Sequence, residues 1–181
     1  LDPEKKTILL VGGSLGARTI NDSVMQHLDL VENTDVQFIL QTGKYYHAQI
    51  TDTLKGRQPK NLVVTDFISD MAAAYKAADL VISRAGASSI SEFCLIGKPV
   101  ILVPSPNVAE DHQTKNAMAL VEKQAAIYVK DADAPATLLK QAIELVNDDK
   151  KLQNLSANIL TLALPDSATI IAKEVIKIMR K

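Results

Sequence analysis

Short apolar runs separated by stretches of helical periodicity run the length of this chain. Thr7 to Val11 reads as a buried strand closed by Gly12-Gly13, and Ala17 to Leu30 as a helix with Ile20, Val24 and Leu28 on one face. Strands are expected over Val36–Leu40, Leu62–Thr65, Leu80–Ser83, Val100–Val103 and Ala126–Val129. Helices are expected between them over Tyr45–Leu54, Asp70–Ala78, Ile90–Ile96 and His112–Lys123, with a turn at Gly56–Lys60. Gly97 followed by Pro99 is a helix stop. Beyond the last strand the chain is helical. Leu139, Ala142, Ile143 and Val146 form a core-facing stripe, Lys150–Leu162 is a further helix, and Pro165 interrupts it. Asp166 or Ser167 can cap a last helix with Ile171, Val175 and Ile178 on one face.

Strands joined by helices of this length imply right-handed crossovers and a parallel sheet covered on both faces, a doubly wound Rossmann-like α/β domain. Ligands on that fold bind beyond the carboxyl ends of the strands. The loops after Val11, Thr65, Ser83 and Val103 therefore matter most, and they are rich in Gly, Ser, Asp, Asn and Pro.

Composition narrows the function classes. The 181 residues are 47% hydrophobic, enough for one well-buried domain. A net charge of -1, with lysines scattered along the chain, argues against nucleic acid as a partner. The lone Cys94 lies among Ile90, Phe93, Leu95 and Ile96 and reads as a buried structural thiol, which suits a reducing cytoplasm. No apolar run approaches the roughly 20 residues that span a bilayer. The chain opens Leu1-Asp2-Pro3-Glu4 without an initiator methionine and enters a strand almost at once, so it is expected to be a piece of a longer protein.

The chemistry concentrates around Ser83-Arg84-Ala85-Gly86-Ala87-Ser88-Ser89-Ile90-Ser91-Glu92, where a strand turns through small residues into a helix. Unpaired N–H groups and the helix dipole favour an anion at such a start. Glu92 has two readings. It can accept hydrogen bonds from sugar hydroxyls, or it can close a capping box with Ser89 as N-cap. Arg84 is expected mainly to hold the turn through backbone carbonyls, with phosphate neutralisation the alternative. The first loop, Gly12-Gly13-Ser14-Leu15-Gly16-Ala17-Arg18, is neither a P-loop nor G-x-G-x-x-G, and its glycines serve either a tight turn or close approach to a ligand. Gln41-Thr42-Gly43 stands where a nicotinamide dinucleotide site would want an acidic residue. Phe67-Ile68-Ser69-Asp70-Met71 is either core packing or a flat surface for a nucleobase. Asp111 can cap a helix that carries His112 and Gln113 towards the cleft. His27 and His47 lack partners at metal-ligand spacing, and no catalytic triad or dyad is legible.

Taken in order, Gly12 to Arg18, Phe67-Ile68 with Met71, Arg84-Ala85-Gly86-Ala87 with Ser91-Glu92, Gly97-Lys98-Pro99, and Asp111-His112-Gln113 with Asn116-Ala117 resemble a known pattern. They look like the C-terminal half of the MurG family, the bacterial UDP-N-acetylglucosamine:lipid I N-acetylglucosaminyltransferases of peptidoglycan synthesis. The resemblance covers nearly the whole chain. It implies one half of a GT-B enzyme: two Rossmann-like domains across a cleft, this one holding the sugar-nucleotide donor. The other, absent here, would supply the acceptor site, the membrane-facing patch and the general base.

By matching position, Ile68 would present backbone groups to uracil, with Phe67 and Met71 shaping the pocket. Ala87, Ser88 and Ser89 would meet the diphosphate, with Ser14 reaching it from the first loop, and Ile90 and Ser91 would also belong to the donor site. Glu92 would hold the ribose hydroxyls and Gln113 those of N-acetylglucosamine. His112 stands where some members carry glutamine, and Ser88 and Ser89 vary in type within the family, which suits contacts made by backbone N–H groups. The implied activity is inverting transfer of N-acetylglucosamine from UDP-N-acetylglucosamine to lipid I, giving lipid II, with no metal or cofactor. The fragment alone would be inactive, and the full-length protein would be cytoplasmic and peripheral on the membrane. Alternatives are another GT-B glycosyltransferase, a UDP-sugar epimerase, or a non-catalytic α/β binding module.

Overall fold

The computed structural model describes residues 1–179. Six parallel strands form one sheet in the order β3-β2-β1-β4-β5-β6. They are β1 (Thr7–Val11), β2 (Gln37–Gln41), β3 (Leu62–Thr65), β4 (Leu80–Ser83), β5 (Val100–Leu102) and β6 (Ile127–Tyr128). The central strands are apolar between their end residues because both faces are covered. Side chains alternate across the sheet: Ile8, Leu10, Phe38, Leu40, Leu80 and Ile82 enter one core, Leu9, Val81, Val100 and Leu102 the other.

The first core is closed by α1 (Arg18–Met25), α3 (Lys44–Leu54) and α7 (Ala134–Val146), through Ile20, Val24, Ile50, Leu54, Leu138 and Leu139. The second is closed by α4 (Met71–Ala77), α5 (Ala87–Ile96) and α6 (His112–Val121), through Tyr75, Phe93, Cys94, Ala117 and Leu120. Cys94 is the buried thiol expected, and burial pushes its pKa up. α8 (Asp149–Leu160) adds Leu152 and Leu155 to the first core and Ile159 to the second. The stripe on α7 is as expected, with Leu139, Ala142 and Val146 buried.

Three expectations change. The helix expected over Ala17–Leu30 is two: α1 ends at Met25, and α2 (Leu28–Glu32) restarts after His27, whose backbone (φ -130°, ψ 40°) is not helical. Asn21-Asp22-Ser23 and His27 are weak helix formers, and the local preference gives way there. The helix expected from Ile90 begins three residues earlier, at Ala87. Asp111 occupies the position before α6 but makes no side-chain cap, because it and Glu110 both adopt left-handed backbone (φ 53° and 51°). Gly97 does terminate α5 in the left-handed conformation (φ 65°). After Pro165 comes α9 (Ser167–Met179), every residue of which is exposed.

Candidate functional site at the carboxyl ends of the strands

The sheet reverses direction of growth between β1 and β4, so the loops leaving these two strands part there and open a crevice. On the β4 side, α5 starts with Gly86 as N-cap in extended backbone (φ -70°, ψ 143°). The first hydrogen bond of the helix runs from Ile90 N–H to Gly86 O at 3.0 Å. The N–H groups of Ala87, Ser88 and Ser89 therefore precede the ladder, and no side chain caps them. A serine or aspartate at the N-cap would lean over these donors and satisfy them. Glycine leaves them open to an anion.

This geometry overturns the capping box. Ser89 lies inside the first turn, not at the cap, and Glu92 turns away from it. Glu92 Oε2 instead accepts the Tyr75 hydroxyl at 2.8 Å, across from α4. Tyr75 is buried and packs edge-on against Phe93, with ring centroids 5.8 Å apart. Burial, with the Glu92 hydrogen bond and charge, holds the phenol far above its ordinary pKa, so it stays a donor. Glu92 is exposed and keeps its other oxygen free among the described residues. Ile90 packs partly into the second core, and Ser91 Oγ donates back to Ala87 O at 3.0 Å, so neither side chain is aimed at the helix start.

The β1 loop answers the question about its glycines. A Cβ on Gly12 would meet Ala17 N at 2.8 Å, and one on Gly16 would meet Thr42 O at 2.1 Å. Gly12 lets the loop fold tightly on itself, and Gly16 lets it press onto the Thr42-Gly43 turn. Gly13 differs: its φ is +81° and the space about it is empty, and Ser14 beside it is exposed. Beyond β3, Ile68 and Met71 are half-buried and pack on the second core, whereas Phe67 is 57% exposed. Asp70 caps α4 by accepting from Ala73 N–H at 2.9 Å.

Arg84 takes the structural role. Its guanidinium donates to Val103 O at 3.0 Å and to Thr19 Oγ1 at 3.2 Å, and pairs with Asp131. It ties β4, β5, α1 and the loop after β6 together beneath the crevice. Gln113 Oε1 accepts from Ser105 N–H at 2.9 Å and Ala85 N–H at 3.3 Å, stitching the β4 and β5 loops. Among the described residues its amide NH2 has no acceptor. Asn116 Nδ2 donates to Ala85 O at 3.0 Å, fixing the same loop. His112 is exposed, 3.9 Å from the Glu110 carboxylate.

An open polar cleft of about 620 Å³ lies among these loops, lined by Gly16, Thr19, Arg84, Ser105, Gln113 and Asp131. A larger hollow of about 740 Å³ lies at the amino ends of the strands, lined in part by Lys6, Asp79 and Lys98. No helix start is among the residues lining it, and two of its lysines are engaged: Lys6 Nζ bonds Asp149 at 2.8 Å, and Lys98 Nζ bonds Ala78 O. The carboxyl-end crevice is the candidate site. Tyr75, Asp131 and Gln41 were not singled out as site residues from the sequence. Each acts through a partner distant along the chain, which local spacing does not show. Among the described residues no three His, Cys, Asp or Glu side chains group to hold a metal. No helix among them is long and apolar enough to cross a membrane.

A doubly wound parallel sheet with an uncapped helix start at its switch point defines a Rossmann-like domain. The chain belongs to the glycosyltransferase family 28 C-terminal domain family, whose model matches residues 7–171. It is 68% identical, over its full length, to the UDP-N-acetylglucosamine--N-acetylmuramyl-(pentapeptide) pyrophosphoryl-undecaprenol N-acetylglucosamine transferase of Bacteroides fragilis, and covers 48% of that protein. The chain thus spans about half the length of the curated relatives it matches. Among solved structures it is similar to Acinetobacter baumannii MurG, with TM-score 0.80 and 27% identity over 96% of this chain and 52% of the other. A UDP-GlcNAc 2-epimerase from Neisseria meningitidis bound to UDP-GlcNAc shares the fold at TM-score 0.69 and 12% identity, over 98% of this chain and 46% of that one.

Proposed function

We propose that this chain is the donor-binding half of an inverting glycosyltransferase that moves N-acetylglucosamine from UDP-N-acetylglucosamine to a muramyl hydroxyl of lipid I. The observation that carries the reading is the uncapped start of α5 beside a tyrosine-held carboxylate at the switch point. It offers a diphosphate site and a hydroxyl acceptor on one helix. The 68% identity to a named N-acetylglucosamine transferase supplies the substrate class.

In this reading the N–H groups of Ala87, Ser88 and Ser89 bind the diphosphate, with Ser14 from the β1 loop. Glu92 accepts from the ribose hydroxyls through the oxygen that Tyr75 leaves free. Ile68 presents its backbone to uracil between Phe67 and Met71. Gln113 donates its amide NH2 to a sugar hydroxyl, since its oxygen is held by Ser105 and Ala85. In the transfer, the acceptor oxygen attacks the anomeric carbon opposite the departing UDP. The glycosidic bond forms as the bond to the β-phosphate oxygen breaks, and that oxygen keeps the electron pair. The helix start stabilises the growing charge. A second Rossmann-like domain, the other half of the GT-B pair, holds the acceptor and the base that takes its proton. The membrane-facing patch belongs to that half too.

Calorimetric titration with UDP-N-acetylglucosamine, UDP and ADP tests the reading. UDP and the UDP-sugar bind, and ADP binds at least about tenfold more weakly because the base edge is read by backbone groups. Equal affinity for ADP removes the uracil assignment. Absence of binding by every nucleotide favours an α/β interaction module instead.

A further inference from the structure

Gln41 is a buried polar side chain for which the functional reading has no use. It is the last residue of β2 and is 3% exposed. β2 lies between β1 and β3, so its carboxyl end stands between the loops that leave those strands. Gln41 bonds to both. Its Oε1 accepts Gly13 N–H at 3.0 Å, and its Nε2 donates to Gly13 O at 3.0 Å and to Asp66 O at 2.7 Å. Both amide protons are used.

These bonds matter because Gly13 is otherwise held by one backbone bond, its O accepting Gly16 N–H at 3.1 Å. The space where its Cβ would be is empty within 4 Å, and its left-handed backbone is one of several open to glycine. The turn that follows Gln41 is covered, since a Cβ on Gly43 would lie 2.2 Å from Gly16 N. Backbone bonds also tie this end of β2 to its neighbours, Gly12 N–H to Gln41 O at 3.1 Å and Thr42 N–H to Thr65 O at 2.9 Å, but it is the Gln41 side chain that joins Gly13 to Asp66. Gly13 precedes Ser14, and Asp66 precedes Phe67-Ile68.

We propose that Gln41 is a positioning residue that fixes the phosphate-side loop at Gly13-Ser14 against the base-side loop at Asp66-Ile68, so that one nucleotide meets both at once. The inference rests on the nucleotide-binding reading above. A bland alternative exists: the amide only satisfies buried backbone groups and supports the fold.

Gln41→Glu separates the two. When protonated, the introduced carboxyl can still accept from Gly13 N–H and donate once. When ionised, it faces two carbonyl oxygens and drives the loops apart. Burial among carbonyls raises such a group's pKa towards neutrality, so the change falls between about pH 5 and pH 8. His47, 3.3 Å from Thr42 Oγ1, and Asp66 and Lys44 flank the two loops, so each affinity is taken relative to the unsubstituted chain at the same pH. The probe is UDP, with thermal unfolding recorded alongside so that affinity is counted per folded molecule.

A positioning role means that Gln41→Glu binds UDP within about threefold of the unsubstituted chain at acid pH and about tenfold or more weaker at alkaline pH. Gln41→Met, which loses all three bonds without adding charge, binds about tenfold weaker at both. If both variants melt earlier yet bind UDP as the unsubstituted chain does across the range, the role is structural and the proposal falls. If the unsubstituted chain itself binds no UDP, the nucleotide reading has failed, and this inference fails with it.

Discussion

Tyr75 takes one oxygen of Glu92 and leaves the other facing solvent, and this division decides what the carboxylate can do. A free glutamate on an exposed helix face samples several rotamers, and ordering it on a ligand costs entropy. The 2.8 Å bond from a phenol that cannot ionise in the working range sets the carboxylate beforehand. Tyr75→Phe keeps the ring against Phe93 and removes only the hydroxyl, so the loss of stability is about 1 kcal/mol. Affinity for UDP then drops about fivefold, while affinity for 2′,3′-dideoxy-UDP is unchanged, because that ligand has no hydroxyls for Glu92 to hold. Paired titrations of the two nucleotides measure this. An equal drop for both would place Glu92 away from the ribose.

α5 shows how an element trades its own stability for a site. Gly86 at the N-cap leaves three N–H groups without acceptors, where aspartate would supply one. The backbone there is extended, and a Cβ would come no closer than 3.9 Å to Ser89 Oγ, so a side chain fits. Gly86→Asp therefore raises stability by a few tenths of a kcal/mol, measured by denaturant unfolding. It weakens UDP binding by about a hundredfold or more, since the carboxylate occupies and repels the diphosphate's place. Unchanged UDP affinity would mean that the anion binds elsewhere. The same element shows what the sequence could reveal. That a strand turned into a helix near Gly86 was legible from apolar Leu80–Ser83 and the stop at Gly97. The helix start was not, because Ser89-Ile90-Ser91-Glu92 satisfies a local capping rule, and the hydroxyl that claims Glu92 lies 17 residues away on α4. Local spacing says which bonds are possible, and packing between elements selects among them. Gln41 is the same case in reverse: in sequence it marks only the lack of an acidic residue, and its partners come from the loops of two neighbouring strands.

At the scale of the molecule, the apolar residues divide into those the sheet needs and those it does not. The strands and α1 to α8 supply the two cores, and the pattern that predicted them was legible because their apolar sides are covered. α9 carries an equally regular apolar face, yet Ile170 is 54% exposed, Ile171 63% and Val175 50%. Periodicity reports that a helix has an apolar side. It does not report whether this chain covers it. A helix of 13 residues without tertiary support is marginal in water. Amide hydrogen exchange should therefore separate α9 from the rest: its amides exchange with little protection, whereas those of β1 and β4 exchange only on global unfolding. Substitution gives the matching energy. Ile171→Ser and Val175→Ser each change unfolding free energy by less than about 0.5 kcal/mol. Leu138→Ala, at a fully buried position of α7, costs about 2–5 kcal/mol. Protection of α9 equal to that of β1, or a cost at Ile171 near that at Leu138, would show that its apolar face is packed in solution.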